Sequence, residues 1–404
     1  MRNRDNRDIL PRVEHVEIEP MRPKLRLLAV VLLLLAGAAA IAWGFRASAA
    51  ARQGWAEITA NASQSEDCSA EFRFRYRLGK NSAVEYRSAT EVYTEACARA
   101  FRVFHPTRRF EELGNLAALN AAPNERVALE PELYTALELL ERSGDRGLFL
   151  APVYQQLDAV FRSTDDAEAA LYDPAFDAEA RRYVERFTAM IADPEAVSIE
   201  LLGGNEACLH LREDYLALAA EYGVSCFADF YWMRNAFAAD LIADRLEAAG
   251  LKNGYLVSTD GFGRCLEEGD ESYSLRVTDM DGAHLLAAAE YAYTGPLALV
   301  DLCNFPQSEG IDDYFYRYAD GALRTPYLDA EDASERGCVS ELIVCARGRS
   351  CAELLERAKP IFFAGRFADA EAEKLAEDGI AVLCYSGGAL RENAAASRLL
   401  ERTA

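Results

Sequence analysis

The sequence predicts an α+β domain carried behind an N-terminal transmembrane helix. Three observations lead there. Residues 27–45 run for nineteen positions without a charge. Residues 71–78 alternate strictly between apolar and polar side chains. Beyond them, helical and strand-like stretches mix without the regular βαβ rhythm of a parallel sheet.

The apolar run, Leu27 to Phe45, spans about 28 Å as a helix, close to a hydrocarbon core of ~30 Å. Only a helix satisfies the backbone of a single segment in lipid. Trp43 sits near its far end, where aromatic side chains favour the interface. Arg12, Arg22, Lys24 and Arg26 precede the run, and only Arg46 and Arg52 follow it closely. Positive charge stays inside, so residues 1–26 read as a cytoplasmic leader and the rest as extracytoplasmic. Ala47-Ser48-Ala49 has the small-residue pattern of a cleavage site, but the run exceeds the usual signal-peptide length of about 7–15 residues. Residues 27–45 are therefore read as an uncleaved signal-anchor, 46–66 as a linker and 67–404 as the domain.

Within the domain, residues 71–78 predict a strand with an aromatic face and an arginine face. Residues 88–104 predict a helix, and 115–120 a short helical turn. Pro131 opens a further helix at its first turn, where a missing N–H costs nothing, and Gly144 lies past its end. Val197 to Leu202, the turn Gly203-Gly204-Asn205 and Ala207 to Leu211 form a hairpin signal. Ala236 to Ala249 carries Ala238, Ile242 and Leu246 on one helical face, followed by the strand 255–258. Strands are expected at 275–278, 297–302, 341–346 and 380–385. Helices are expected from Ser350 to Ala358 and from Asp369 to Glu377.

Charge and motifs exclude several function classes. The formal net charge is −23, and the basic leader makes the domain more negative still. Such a surface repels nucleic acid and anionic headgroups. No P-loop, HExxH or GxSxG is present. His15, His105, His210 and His284 have no metal spacing, and the ten cysteines form no CxxC. No disulfide pairing is predicted.

Several segments nevertheless form a series. Phe110-Glu-Glu-Leu-Gly-Asn-Leu-Ala-Ala-Leu-Asn120 is similar to "S-E-I-S-R-L-N", and Gly147 to Pro152 stands where "G-A-F-D-P-T" would fall. Asp229-Phe-Tyr-Trp-Met-Arg-Asn-Ala-Phe-Ala-Ala-Asp240 stands where "D-L-G-G-I-A-K-G-Y-A-V-D" would fall. The stretch to Leu256-Val-Ser-Thr-Asp-Gly261 is similar to "V-N-A-L-V-S-L-G-G". Ser350-Cys-Ala-Glu-Leu-Leu-Glu-Arg-Ala358 is similar to "A-D-A-L-S-T-A". In order and spacing, residues 66–390 resemble the FAD:protein FMN transferases, the ApbE family. That resemblance implies an exported or anchored domain. Members use a divalent metal, usually Mg²⁺, to cleave FAD and move FMN onto a Thr or Ser of an acceptor protein.

The resemblance implies site residues as well: Asp229, Asn235, Asp240, Asp260 and Gly261 toward the cofactor, and Glu353 and Asp329 toward the metal. Its departures fall on the chemistry. Tyr231 and Trp232 take the places of paired glycines that let backbone approach the nucleotide. Asn235 replaces a lysine. The family's metal-binding Asp and Thr fall on Glu353 and Arg357, and a guanidinium has no lone pair to give. An ion pair between Glu353 and Arg357, four residues apart, is the expected substitute.

The leading reading is therefore a membrane-anchored, flavin-related binding or accessory module with degenerate transferase motifs, beside a flavinylated or redox membrane protein. An active transferase is one alternative, which needs acids such as Asp301 or Asp329 to join Glu353 around a metal. An unrelated exported domain is the other. Tyr231, Trp232 and Phe262 either stack on a planar ligand or fill the pocket as core.

Overall fold

The computed structural model describes residues 28, 30–34, 37, 54–65, 67–281, 284–306, 314–336 and 338–403. Most of the expected membrane span lies outside them, as does the leader. Among the described residues no helix is long and apolar enough to cross a membrane.

An eight-stranded sheet organises the chain. Its strands lie side by side in chain order: Gly54–Ile58, Phe72–Leu78, Gly254–Ser258, Phe262–Cys265, Leu297–Cys303, Glu341–Ala346, Ala381–Ser386 and Ala389–Glu392. Every neighbouring pair is antiparallel. Most of the helices and of the smaller sheets' strands are inserted between these strands, which is the α+β arrangement the sequence predicts.

Alternation in Phe72–Leu78 does what its pattern requires. Phe72, Phe74, Tyr76 and Leu78 are buried, while Arg73, Arg75 and Arg77 face out. Burying each large apolar side chain contributes roughly 1.5–3 kcal/mol. Against this face packs the helix Ser82–Phe104, and the helix Arg234–Ala248 packs on it and on the strands Gly254–Ser258 and Phe262–Cys265. The helix Cys351–Phe362 lies on the strands Leu297–Cys303 and Glu341–Ala346. Leu342 and Val344 join the helical core, whereas Ile343 and Cys345 join a second cluster with Leu275, Val277 and Tyr291. That second cluster lies under a three-stranded sheet of Ser272–Asp281, His284–Thr294 and Glu401–Arg402. All six residues of Glu341–Ala346 are thus buried, which explains the unbroken apolar run from Leu342 to Ala346.

Local signals end the elements where they should. Gly144 closes the helix Pro131–Ser143 at φ 71°, the left-handed conformation that suits glycine. Ser350 and Glu353 form a capping box at the start of the helix Cys351–Phe362. Val197–Gly203 and Glu206–Leu211 form the expected hairpin.

One boundary needs correction. The stretch 46–66 is not all linker, because Gly54–Ile58 is an edge strand paired with Phe72–Leu78. Trp55 packs its ring against Tyr255 and Tyr273. Five residues are too few to show a period, so the strand was hidden among small polar neighbours. Among the described residues no disulfide is formed.

Candidate functional site

The site is assembled where the sheet end meets the N-terminus of the helix Arg234–Ala248. Asn120, at the end of the short helix Leu116–Asn120, fixes the approach to it. Its Nδ2 donates to Pro106 O at 2.8 Å and Ala228 O at 2.9 Å. Its Oδ1 accepts from the backbone N–H groups of Phe227 and Ala228 at 3.1 and 3.0 Å. The next residue, Asp229, donates its backbone N–H to Leu148 O and accepts from Tyr231 N at 2.9 Å.

Tyr231 then adopts φ +47°, a left-handed conformation that costs a side chain roughly 1–2 kcal/mol and glycine almost nothing. A tyrosine therefore takes a backbone conformation that ordinarily favours glycine. Its ring lies parallel to Tyr154, with centroids 4.0 Å apart, and its edge meets Tyr314. The hydroxyl donates to Asp158 Oδ1 at 2.5 Å. Trp232 is only 9% exposed and meets Tyr327 and Phe363 edge-on. Phe262 is fully buried. Of the two roles open to these aromatics, Trp232 and Phe262 take the core role, and Tyr231 is partly buried against that core.

Past the aromatics lies a polar cluster around Glu71. Arg234 donates to both oxygens of Glu71, at 2.8 and 2.9 Å. Asn235 Nδ2 bridges Glu71 and Asp260, at 2.8 and 3.0 Å. The oxygens Asn235 Oδ1 and Asp260 Oδ1 are buried and have no hydrogen-bond partner among the described residues. Gly261, at φ +99°, lets its turn lie flat on the strand Leu297–Cys303, since a Cβ there would sit 2.0 Å from Asp301 O. Asn235, Asp260 and Gly261 are thus brought together. Tyr314, whose ring meets that of Tyr231, feels the charges of Arg234, Glu71, Asp260 and Asp229.

Burial, the largest cause in each case, pushes the carboxyls of Asp229 and Asp260 up to about 6. Their ordinary value is 3.8. Between those values the folded chain holds more protons than the unfolded one, so stability falls as pH rises through that window. Asp260→Asn is expected to flatten the fall, read by urea unfolding at pH values near 4 and near 7. An unchanged slope would show that Asp260 does not titrate there.

The remaining candidates have other partners. Asp240 accepts from the backbone N–H groups of Cys351 and Ala352 at 2.8 and 2.9 Å, and from Arg264 at 2.8 Å. It ties two helices together, its charge set against the positive end of the second. Glu353 is held by the capping box and borders a cleft of about 350 Å³ with Glu132 and Asp240. Asp329 pairs with Arg336. The structure therefore does not bring Asp329 and Glu353 onto common partners. The ion pair expected between Glu353 and Arg357 is also absent, because Arg357 reaches Asp378 at 3.0 Å.

Sequence reasoning named Asp301 but missed its neighbours. Asp301, Cys303 and Glu341 hold three ligand atoms within 4.8 Å of one another. Cys303 and Glu341 face each other across two strands, a pairing no local spacing reveals. Glu341 accepts from Thr278 N at 2.6 Å and Thr278 Oγ1 at 2.7 Å, and burial first, then Asp301, pushes it up to about 8. A thiol and a protonated carboxyl suit Mg²⁺ poorly, since that ion wants hard oxygens and several waters. FAD fits no better. Tyr231 and Trp232 are bulky where the resemblance implies paired glycines, and Glu71, Asp229 and Asp260 oppose a pyrophosphate, with Arg234 the one cation bound to this cluster among the described residues.

Comparison with known proteins follows the fold rather than the motifs. No protein-family model matches the chain, and no curated protein matches it. Solved structures do. The ApbE protein of Thermotoga maritima aligns with a TM-score of 0.57 at 13% identity, covering 81% of this chain and 95% of that one. The flavin transferase ApbE of Vibrio cholerae aligns over the same shares at 0.53 and 13% identity. The flavinyl transferase ApbE of Pseudomonas stutzeri aligns at 0.50 and 14%, over 81% and 92%. An unrelated exported fold is thereby set aside. Across most of its length, and at low sequence identity, this chain has the fold of the ApbE flavin transferases.

Proposed function

We propose that the chain is a membrane-anchored, extracytoplasmic ApbE-like domain that no longer transfers FMN. It serves as an accessory module to a flavinylated or redox membrane protein. One observation carries this reading: Tyr231 holds a backbone conformation that favours glycine while its ring stacks on Tyr154, and the ring of Trp232 is buried beside Tyr327. Charge supports it. Transfer from FAD needs cations at the pyrophosphate, and here the lysine position carries Asn235, bound to two carboxylates. The uncharged run at residues 27–45 supports the anchor.

The transfer step is tested by incubating the full-length chain with FAD and Mg²⁺ and following AMP. No AMP above the protein-free control is expected. Turnover that scales with protein and stops on removing Mg²⁺ would restore the active transferase.

A further inference from the structure

We propose that the Lys359 ammonium is a built-in replacement for a bound divalent cation, filling a site between Asp145 and Glu356 that would otherwise take a metal ion. Lys359 projects from the helix Cys351–Phe362 and is 8% exposed. Its ammonium donates to Asp145, to Glu356 Oε1 at 2.5 Å and to the thioether of Met233. The indole of Trp232 lies 5.6 Å from it, within cation–π range.

Each part is fixed from a different direction. Asp145 follows the left-handed Gly144, and its other oxygen accepts from Gly147 N at 2.7 Å. Glu356 stands one turn before Lys359 on the same helix, with a side chain only 6% exposed. Two carboxylates thus converge on one enclosed point, and a cation is present there because the chain supplies it. An ammonium has three N–H groups, and all three are used. None remains for a phosphate, so this lysine is not a ligand-binding group.

The charge balance points the same way. Two carboxylates and one ammonium leave a formal charge of −1, which a divalent ion would cancel. Burial works against the charged lysine, yet Asp145 and Glu356 together hold it above its ordinary value. The ammonium therefore remains charged at neutral pH. Without that side chain, two buried carboxylates would face each other across a space that accepts hard cations through oxygen. This inference is independent of the flavin reading, since it concerns only the cation at Asp145 and Glu356.

Mn²⁺ binding by electron paramagnetic resonance tests it on the full-length chain. Lys359→Ala is expected to bind one more Mn²⁺ than wild type. Adding Asp145→Asn to that variant should remove the extra ion. In the wild-type background Asp145→Asn should leave the number of bound ions unchanged. A wild-type ion lost on Asp145→Asn would overturn the proposal, because the lysine would then not replace the metal. So would a folded Lys359→Ala chain without an extra ion. If that variant folds only with Mn²⁺ present, the proposal is upheld; if Mn²⁺ at saturating concentration restores no native circular dichroism, it is overturned.

Discussion

Lys359→Met is expected to lower the stability of the metal-free chain by about 3–5 kcal/mol, the usual cost of removing one partner from a buried ion pair. Methionine keeps most of the apolar stem, so packing against Trp232 changes little. What is lost is the charge between Asp145 and Glu356, whose side chains are 18% and 6% exposed. The loss should therefore depend on pH. Lys359 and the other contacts of Asp145 outweigh burial and hold its carboxyl below the ordinary value. Removing the ammonium should release it upward, and protonating the facing carboxyls in mild acid should recover part of the loss. Urea unfolding of wild type and variant near pH 7 and near pH 5 measures both. A loss of equal size at both pH values would mean that packing, not charge, is what Lys359 supplies.

Trp232→Ala is expected to cost a similar amount, about 3–5 kcal/mol, through the cavity it leaves. Its ring meets Tyr327 at 5.1 Å and Phe363 at 6.2 Å, both nearly perpendicular, and it lies beneath the Lys359 ammonium. Tyr231→Gly should cost less. It forfeits the stack on Tyr154 and the bond to Asp158, but it removes roughly 1–2 kcal/mol of left-handed strain. Guanidinium unfolding of the two variants should rank them in that order with an unchanged slope. A Trp232→Ala loss below about 1 kcal/mol would place the indole in an open cleft instead of a core.

The scaffold was legible because its signals are local. Alternation in Phe72–Leu78, the Gly203-Gly204-Asn205 turn and the Ser350 cap each depend on neighbours within a few residues. Where the signal weakened, so did the reading. The helix Ala178–Ile191 went unread, although Asp177 caps it through Glu179 N and Ala180 N. Asp177 stands four residues before a run of charges that hides the apolar stripe of Tyr183, Val184 and Phe187. The strand His284–Thr294 was missed because its alanines carry little β signal.

The neighbourhood was only partly legible. Asn235, Asp260 and Gly261 lie together, yet Glu71, which accepts from Arg234 and Asn235, stands more than 150 residues earlier, just before the strand Phe72–Leu78. The same limit misplaced the expected ion pair. Arg357 lies at the expected helical spacing from Glu353 but faces Asp378, while Lys359 reaches Asp145 across a tertiary contact. Which of two basic residues turns inward depends on what lies opposite, and one segment does not contain that information.

Whether the flavin pocket is closed by Tyr231 and Trp232 can be measured directly by equilibrium titration of the full-length chain with FAD in Mg²⁺, following flavin fluorescence. A closed pocket predicts no saturable change up to the highest flavin concentration reached. Saturable binding that Trp232→Ala does not alter would contradict it, because flavin would then sit in a pocket that the aromatics neither fill nor border.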